Sequence, residues 1–222
     1  MAVWPSHDPA MTDTLSKLLS RAPVVPLVQS NDRDEAVSTA GALLGGGMLV
    51  LEVVLRTDAA YECLQAITEA FPDVEVGAGT VLSRAHAEKA IAHGAKFIVS
   101  PGLDESVVRV AQDGGLPVLP GIATATELQQ AWNMGLRSVK FFPAGLSGGP
   151  KMLKALSSVF RDVTFMPTGG VSADNLPDFL AVSSVIACGG SWLTPKAAVE
   201  ARNFQVIEKL SRQALEIAKN RG

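Results

Sequence analysis

The sequence predicts an α/β chain of the (β/α)8 TIM-barrel class, and three observations carry the prediction. Short β-branched or apolar runs recur with centres near Pro26, Glu52, Val76, Ile98, Val118, Lys140, Phe165 and Ala187. Their spacing of about 20 to 26 residues fits one strand, one helix and two loops. Helix-forming stretches fill each gap, and eight such βα units match the repeat of a closed parallel barrel. An open doubly wound sheet is the rival, but it usually carries a Gly-rich turn after its first strand. Here Val24-Val25-Pro26-Leu27-Val28 runs into Gln29-Ser30-Asn31-Asp32 without glycine.

The helices are expected at Asp32–Leu44, Ala59–Phe71, Ala85–His93, Glu105–Gln112, Glu127–Met134, Lys151–Phe160, Ala173–Leu180 and Phe204–Lys219. Thr124-Ala125-Thr126-Glu127 has the form of a capping box, and Pro150 suits a first helical turn. An amphipathic helix over residues 12–21 precedes the first strand and is placed to plug the N-terminal end of the barrel. No linker, low-complexity tract or charge run divides the chain, so residues 1–222 are expected to form a single domain, with the barrel over 23–222. The strand ends carry recurrent Pro and Gly, as in Ser100-Pro101-Gly102, Leu119-Pro120-Gly121 and Pro167-Thr168-Gly169. Barrel active sites are built at those ends.

A hydrophobic fraction of 47% with 18% charged residues describes a packed globule rather than a disordered chain. The net charge of −3 gives no case for nucleic acid, and no basic stretch is interleaved with aromatics. No apolar run has the length of a membrane span, and residues 1–8 lack the basic and apolar segments of a secretory signal. Cys63 and Cys188 are too few for a disulfide framework and fall in segments expected to be buried. The expected compartment is the cytoplasm. His7, His86 and His93 have no metal-ligand spacing, so neither a metal nor a cofactor is expected.

Two charged residues interrupt apolar strands. Lys140 lies within Val139-Lys140-Phe141-Phe142-Pro143, and Glu52 within Leu49-Val50-Leu51-Glu52-Val53-Val54-Leu55. A charge among such neighbours is costly, and burial favours the neutral amine that can attack a carbonyl carbon. With a period of two, Val50, Glu52, Val54 and Arg56 share one strand face, while Leu49, Leu51, Val53 and Leu55 share the other. The wholly aliphatic set suits the helix layer, so Glu52 and Arg56 should point into the barrel. Lys140 and Phe142 share a face by the same count, four strands away and across the interior. A plain buried ion pair is the competing reading, although such pairs contribute little net stability.

Two glycine clusters, Thr168-Gly169-Gly170 and Gly189-Gly190-Ser191, follow the seventh and eighth predicted strands. Barrels commonly hold phosphate in these two loops, where missing Cβ atoms let backbone N–H groups approach the anion. Ser191 could add a hydroxyl. Lys96 has an apolar context like that of Lys140, but it begins its strand and belongs at the opposite end of the barrel. Trp192 is expected to pack or to meet another subunit.

With these residues in place, the chain resembles the 2-keto-3-deoxy-6-phosphogluconate aldolases of the KDPG/KHG aldolase family. The resemblance rests on Leu51-Glu52-Val53-Val54-Leu55-Arg56-Thr57, residues 77–82, residues 100–103, Lys140-Phe141-Phe142-Pro143-Ala144, Pro167-Thr168-Gly169-Gly170 and Gly189-Gly190-Ser191-Trp192, in that order. It covers nearly all of the chain from Pro23 onward. It implies a homotrimer with Lys140 as the Schiff-base lysine and Glu52 as the proton-transferring carboxylate. It also implies that Arg56 and Thr80 hold the substrate carboxylate and that Phe142 packs beside the imine. Thr168, Gly169, Gly170, Gly189, Gly190 and Ser191 would complete the substrate site, the glycine loops seating the phosphate. One departure is Gly145, where the family often has Glu after Phe-Phe-Pro-Ala.

The implied reaction is a class I retro-aldol cleavage of 2-dehydro-3-deoxy-6-phosphogluconate to pyruvate and glyceraldehyde 3-phosphate. An iminium supplies the electron sink, so no metal is required. On the same site, 4-hydroxy-2-oxoglutarate or the galactonate epimer are alternative substrates. Outside the class, a sugar-phosphate isomerase or epimerase, or a non-catalytic phosphosugar-binding barrel, would share the phosphate loops without needing the lysine.

Overall fold

The computed structural model describes residues 19–219. Nine parallel strands are assigned: β1 (Val24–Val28), β2 (Val50–Val54), β3 (Glu75–Gly79), β4 (Ile98–Val99), β5 (Val118–Leu119), β6 (Gly121–Ile122), β7 (Ser138–Phe141), β8 (Thr164–Pro167) and β9 (Cys188–Gly190). They form an α/β fold with two curled arcs, one ordered β5-β4-β3-β2-β1-β9 and the other β6-β7-β8. The expected continuous sheet of eight strands is therefore divided in two places. Between β5 and β6 stands Pro120, which has no N–H to give to a ladder, though its carbonyl accepts from Lys140 N–H at 2.9 Å. Between β8 and β9 the described residues are linked by a parallel bridge of Phe165 with Val185, where Phe165 N–H donates to the Ser184 carbonyl at 2.8 Å and Ile186 N–H to the Phe165 carbonyl at 3.1 Å.

Helices alternate with the strands: α1 (Arg33–Gly45), α2 (Ala60–Ala70), α3 (Arg84–Ala92), α4 (Glu105–Asp113), α5 (Ala125–Asn133), α6 (Gly149–Val159), α7 (Leu176–Leu180), α8 (Lys196–Glu200) and α9 (Phe204–Lys219). Side-chain caps set several starts. Asp32, Ser83 and Asp104 each accept a backbone N–H three residues on. The expected capping box forms in full, with Thr124 and Glu127 satisfying each other's backbone donors. As Thr124 is the cap, α5 begins at Ala125, two residues before the expected start. α7 is shorter than the expected Ala173–Leu180 because Pro177 sits in its first turn, where proline is best accommodated. The five-residue α8 is too short to leave a periodic trace.

Strand alternation separates two apolar layers. Leu51, Val53, Ile98, Val139, Phe141 and Phe165 pack outward among the helices. Val25, Val50, Phe97, Val99, Leu119, Met166 and Ala187 fill the interior together with Leu19 and Ala22. Residues 19–21 are helical, so the described end of the expected N-terminal helix puts Leu19 into this inner layer. The remainder of that helix, and His7, lie outside the described residues. Leu49 corrects the expected helix-facing set: it is 48% exposed, one residue before β2 begins. Among the described residues, no helix is long and apolar enough to cross a membrane. Cys63 and Cys188 are buried thiols, and neither belongs to a disulfide among the described residues.

Candidate active site

The inner face of β2 carries Val50, Glu52 and Val54 upward to Arg56, and the inner face of β7 carries Lys140. The two interior charges meet: Lys140 Nζ is 3.4 Å from Glu52 Oε1, with Lys140 2% and Glu52 0% exposed. Glu52 Oε2 is buried with no hydrogen-bond partner among the described residues. Leaving a buried acceptor unpaired costs on the order of 1–3 kcal/mol, which a purely structural ion pair has no reason to incur. The neighbouring strand makes room for this carboxylate. A Cβ added to Gly79 of β3 would lie 2.0 Å from Glu52 Oε1, so only glycine leaves the space that Glu52 fills.

Above the pair, Arg56 Nε–H donates to Thr80 Oγ1 at 3.1 Å. Thr80 has φ of 61°, a left-handed backbone that a β-branched residue rarely adopts. From the other side, the adjacent Thr57 hydroxyl donates to the Ser30 carbonyl at 2.6 Å, tying the Arg56 loop to the end of β1. Lys140 Nζ stands 5.4 Å from the centroid of the Phe142 ring. Glycines line the far wall. Gly169 and Gly170 have φ of 85° and 84°, conformations that suit glycine, and a Cβ on Gly169 would press on Phe142 at 3.1 Å. Thr168 is buried with its Oγ1 unpartnered among the described residues, facing Gly189, where an added Cβ would come within 2.3 Å of it. Gly190 ends β9, and Ser191 opens a 3₁₀ turn with its side chain exposed.

A cavity of about 600 Å³ opens at the C-terminal ends of β1, β2 and β9, bounded by Leu27, Gln29, Val54, Arg56, Thr57 and Ser191 among others. Leu27 pairs in register with Glu52, so the carboxylate lies one strand layer beneath Val54 and Gln29. Of the site residues singled out in the sequence, Arg56 and Ser191 line this cavity, while the Lys140–Glu52 pair lies buried outside its lining. Lys96 lies apart from both; at its strand's beginning it donates to the Pro72 carbonyl at 2.6 Å. His86 and His93 are half-buried beside Tyr61. The sequence reading did not single out Leu27 and Gln29. Their signal is the alternation Val25, Leu27, Gln29, which carries the inner face of β1 one residue beyond its apolar run.

An amine and a carboxylate share a buried interior, an arginine and a strained threonine stand above them, and paired glycines line the far wall. The family model for KDPG and KHG aldolase matches residues 15–210 of the chain. The KHG/KDPG aldolase of Escherichia coli K12 is 45% identical over 202 residues, covering 91% of this chain and 95% of that protein. The KDPG aldolase of Legionella pneumophila, solved with pyruvate captured as a covalent carbinolamine, superposes with a TM-score of 0.87 at 37% identity, over 90% of this chain and 97% of the other. The Zymomonas mobilis ZM4 2-keto-3-deoxy-6-phosphogluconate aldolase, solved with 3-phosphoglycerate, gives a TM-score of 0.83 at 38% identity, over 92% and 95%. Fold and kinship agree, and the chain belongs to the KDPG and KHG aldolase family.

Proposed function

We propose that this protein is a class I aldolase that cleaves 2-dehydro-3-deoxy-6-phosphogluconate to pyruvate and glyceraldehyde 3-phosphate, with Lys140 as the Schiff-base lysine. The observation that carries the reading is the contact between Lys140 Nζ and a buried Glu52 that has a second oxygen to spare. The neutral amine adds to the C2 ketone, and loss of water from the carbinolamine leaves an iminium. Glu52 takes the proton of the C4 hydroxyl, the C3–C4 bond breaks, and its electron pair enters the iminium to give an enamine. The aldehyde departs, Glu52 returns a proton to C3, and hydrolysis releases pyruvate and the amine.

Arg56 clamps the substrate carboxylate through its planar fork, with the Thr80 hydroxyl alongside. Phe142 covers one side of the imine. The backbone N–H groups around Gly169-Gly170 and Gly189-Gly190, with the Thr168 and Ser191 hydroxyls, receive the distal half of the substrate and its phosphate. The 3-phosphoglycerate in the Zymomonas relative and the covalent pyruvate in the Legionella relative support the two ends of this assignment.

The dual name of the Escherichia coli relative favours 4-hydroxy-2-oxoglutarate as a second substrate on the same site. Coupling pyruvate release to lactate dehydrogenase tests both at once. A higher kcat/KM for the phosphorylated substrate supports the reading; release of no pyruvate from either compound excludes it.

The two arcs are proposed to be one (β/α)8 barrel, forming a single domain. β5 and β6 then count as one strand interrupted at Pro120, and the Phe165–Val185 bridge closes the ring. A homotrimer is the proposed assembly and the cytoplasm the proposed compartment, in keeping with two buried thiols. Sedimentation at three times the 23.2 kDa chain mass tests the assembly.

A further inference from the structure

We propose that Gln29 is a specificity-determining residue of this aldolase, its carboxamide reading the C5 hydroxyl of the substrate, on the carbon between the scissile centre and the phosphate-bearing carbon. The inference rests on the aldolase reading above and deepens it.

Three observations lead to Gln29. First, β1 lies between β9 and β2 in the sheet, so its upper end forms the wall between the phosphate loops and the Arg56 carboxylate clamp. A substrate stretched from Arg56 to Ser191 must pass along that wall. Second, the register sets the level. Leu27 is opposite Glu52, which puts Gln29, next on the same face, at the height of Val54 and above the catalytic carboxylate. Gln29 lines the same cavity as Arg56 and Ser191.

Third, several of the other polar side chains on this wall already have partners, and Asn31, which also lines the cavity, accepts from Ala59 N–H at 3.5 Å. Within its own loop, Ser30 Oγ donates to Glu35 Oε1 at 2.6 Å and accepts from Asp32 N–H at 2.9 Å. The Thr57 hydroxyl is spent on the Ser30 carbonyl, and the Thr194 hydroxyl on the Leu27 carbonyl at 2.7 Å. Lys196 pairs with Glu200. Gln29 makes no side-chain hydrogen bond among the described residues, and it is exposed to the cavity.

A carboxamide presents a donor and an acceptor side by side, and a secondary hydroxyl needs both. The C4 hydroxyl is already matched to Glu52 by the chemistry, and the carboxylate and phosphate have their own partners. The hydroxyl left over is the one at C5, on the path past β1.

The test runs the reaction in the condensing direction, with pyruvate and either glyceraldehyde 3-phosphate or 3-oxopropyl phosphate, which lacks that hydroxyl. Gln29→Leu is compared with the unsubstituted protein. The expected loss in kcat/KM is about three- to tenfold with the hydroxylated aldehyde, the value of one net hydrogen bond. With the deoxy aldehyde the change should be less than about twofold. Borohydride trapping of pyruvate by the variant should match the unsubstituted protein, which reports an intact fold and lysine. Equal losses on the two aldehydes, no loss on either, or a loss confined to the deoxy compound overturns the role of Gln29. Failure of the unsubstituted protein to condense either aldehyde instead overturns the aldolase reading beneath it.

Discussion

The amine of Lys140 and the carboxylate of Glu52 come from strands on different arcs of the sheet, 88 residues apart in the chain, and approach to 3.4 Å in the interior. A closer and fully paired arrangement would be a structural ion pair. Here one carboxylate oxygen contacts the amine and the other, Oε2, has no hydrogen-bond partner among the described residues, which leaves it available to a substrate proton. Buried pairs give little stability in return for their desolvation, so the arrangement is better understood as poised chemistry.

Glu52→Gln keeps the shape of the side chain and removes its capacity to take a proton. Exchange of the pyruvate methyl protons with solvent deuterium, followed by NMR, should slow by about a hundredfold or more. Pyruvate affinity should fall much less. Equal losses in exchange and affinity would assign Glu52 to binding instead.

Gly79→Ala places a methyl group where Glu52 Oε1 now lies. Either the carboxylate moves or β3 shifts, and a displacement of about 1 Å can cost on the order of a hundredfold in rate. Overpacking of this kind should also remove about 1–3 kcal/mol of stability in urea unfolding. Gly102→Ala is the control, since a Cβ there meets nothing within 4 Å, and it should remain close to the unsubstituted protein in both measurements.

Thr80→Gly relieves a left-handed backbone that is unfavourable for threonine by on the order of 1 kcal/mol or more, and it removes the acceptor for Arg56 Nε–H. Urea unfolding should show stability unchanged or raised, because glycine adopts this φ freely, although its extra freedom in the unfolded chain offsets part of the gain. The KM for the keto acid should rise as Arg56 loses its positioning contact. A variant that loses stability while keeping its KM would contradict the assignment of Thr80 to the carboxylate clamp.

The capping box of α5 gives a pH-dependent prediction. The Ala123 and Thr124 N–H groups hold the Glu127 carboxyl below its ordinary range, against the opposing effect of partial burial. Its stabilising contribution is therefore present above the ordinary carboxylate pKa and is lost as pH falls through the lowered one. Glu127→Ala should destabilise by a few tenths to about 1 kcal/mol at pH 7 and by progressively less in acid. A difference independent of pH would remove the carboxylate from the cap.

Much of the site could be read from the chain because a charge in an apolar strand is a local anomaly and strand alternation is a local rule. Lys140, Glu52 and Arg56 were all placed on inner faces by counting in twos. The Thr124–Glu127 box was equally legible, since its two partners are three residues apart. What escaped depends on contacts between segments. The left-handed φ of Thr80 has no signature in a residue that normally avoids it. Gln29 escaped because the apolar run of β1 stops at Val28 while its inward alternation continues. Leu49 was assigned to the helix-facing set on polarity, yet it lies just outside β2 and is half exposed. The division of the sheet at Pro120 reflects a single missing donor, which runs of apolar residues do not reveal.

The central claim concerns one nitrogen atom, and trapping addresses it directly. Incubation with pyruvate and borohydride, followed by peptide mass spectrometry, should place a stable reduced pyruvyl adduct on Lys140. Lys140→Ala should form no adduct and lose turnover while keeping its fold, and Lys96→Ala should behave like the unsubstituted protein. An adduct on Lys96, or no adduct anywhere, would contradict the account.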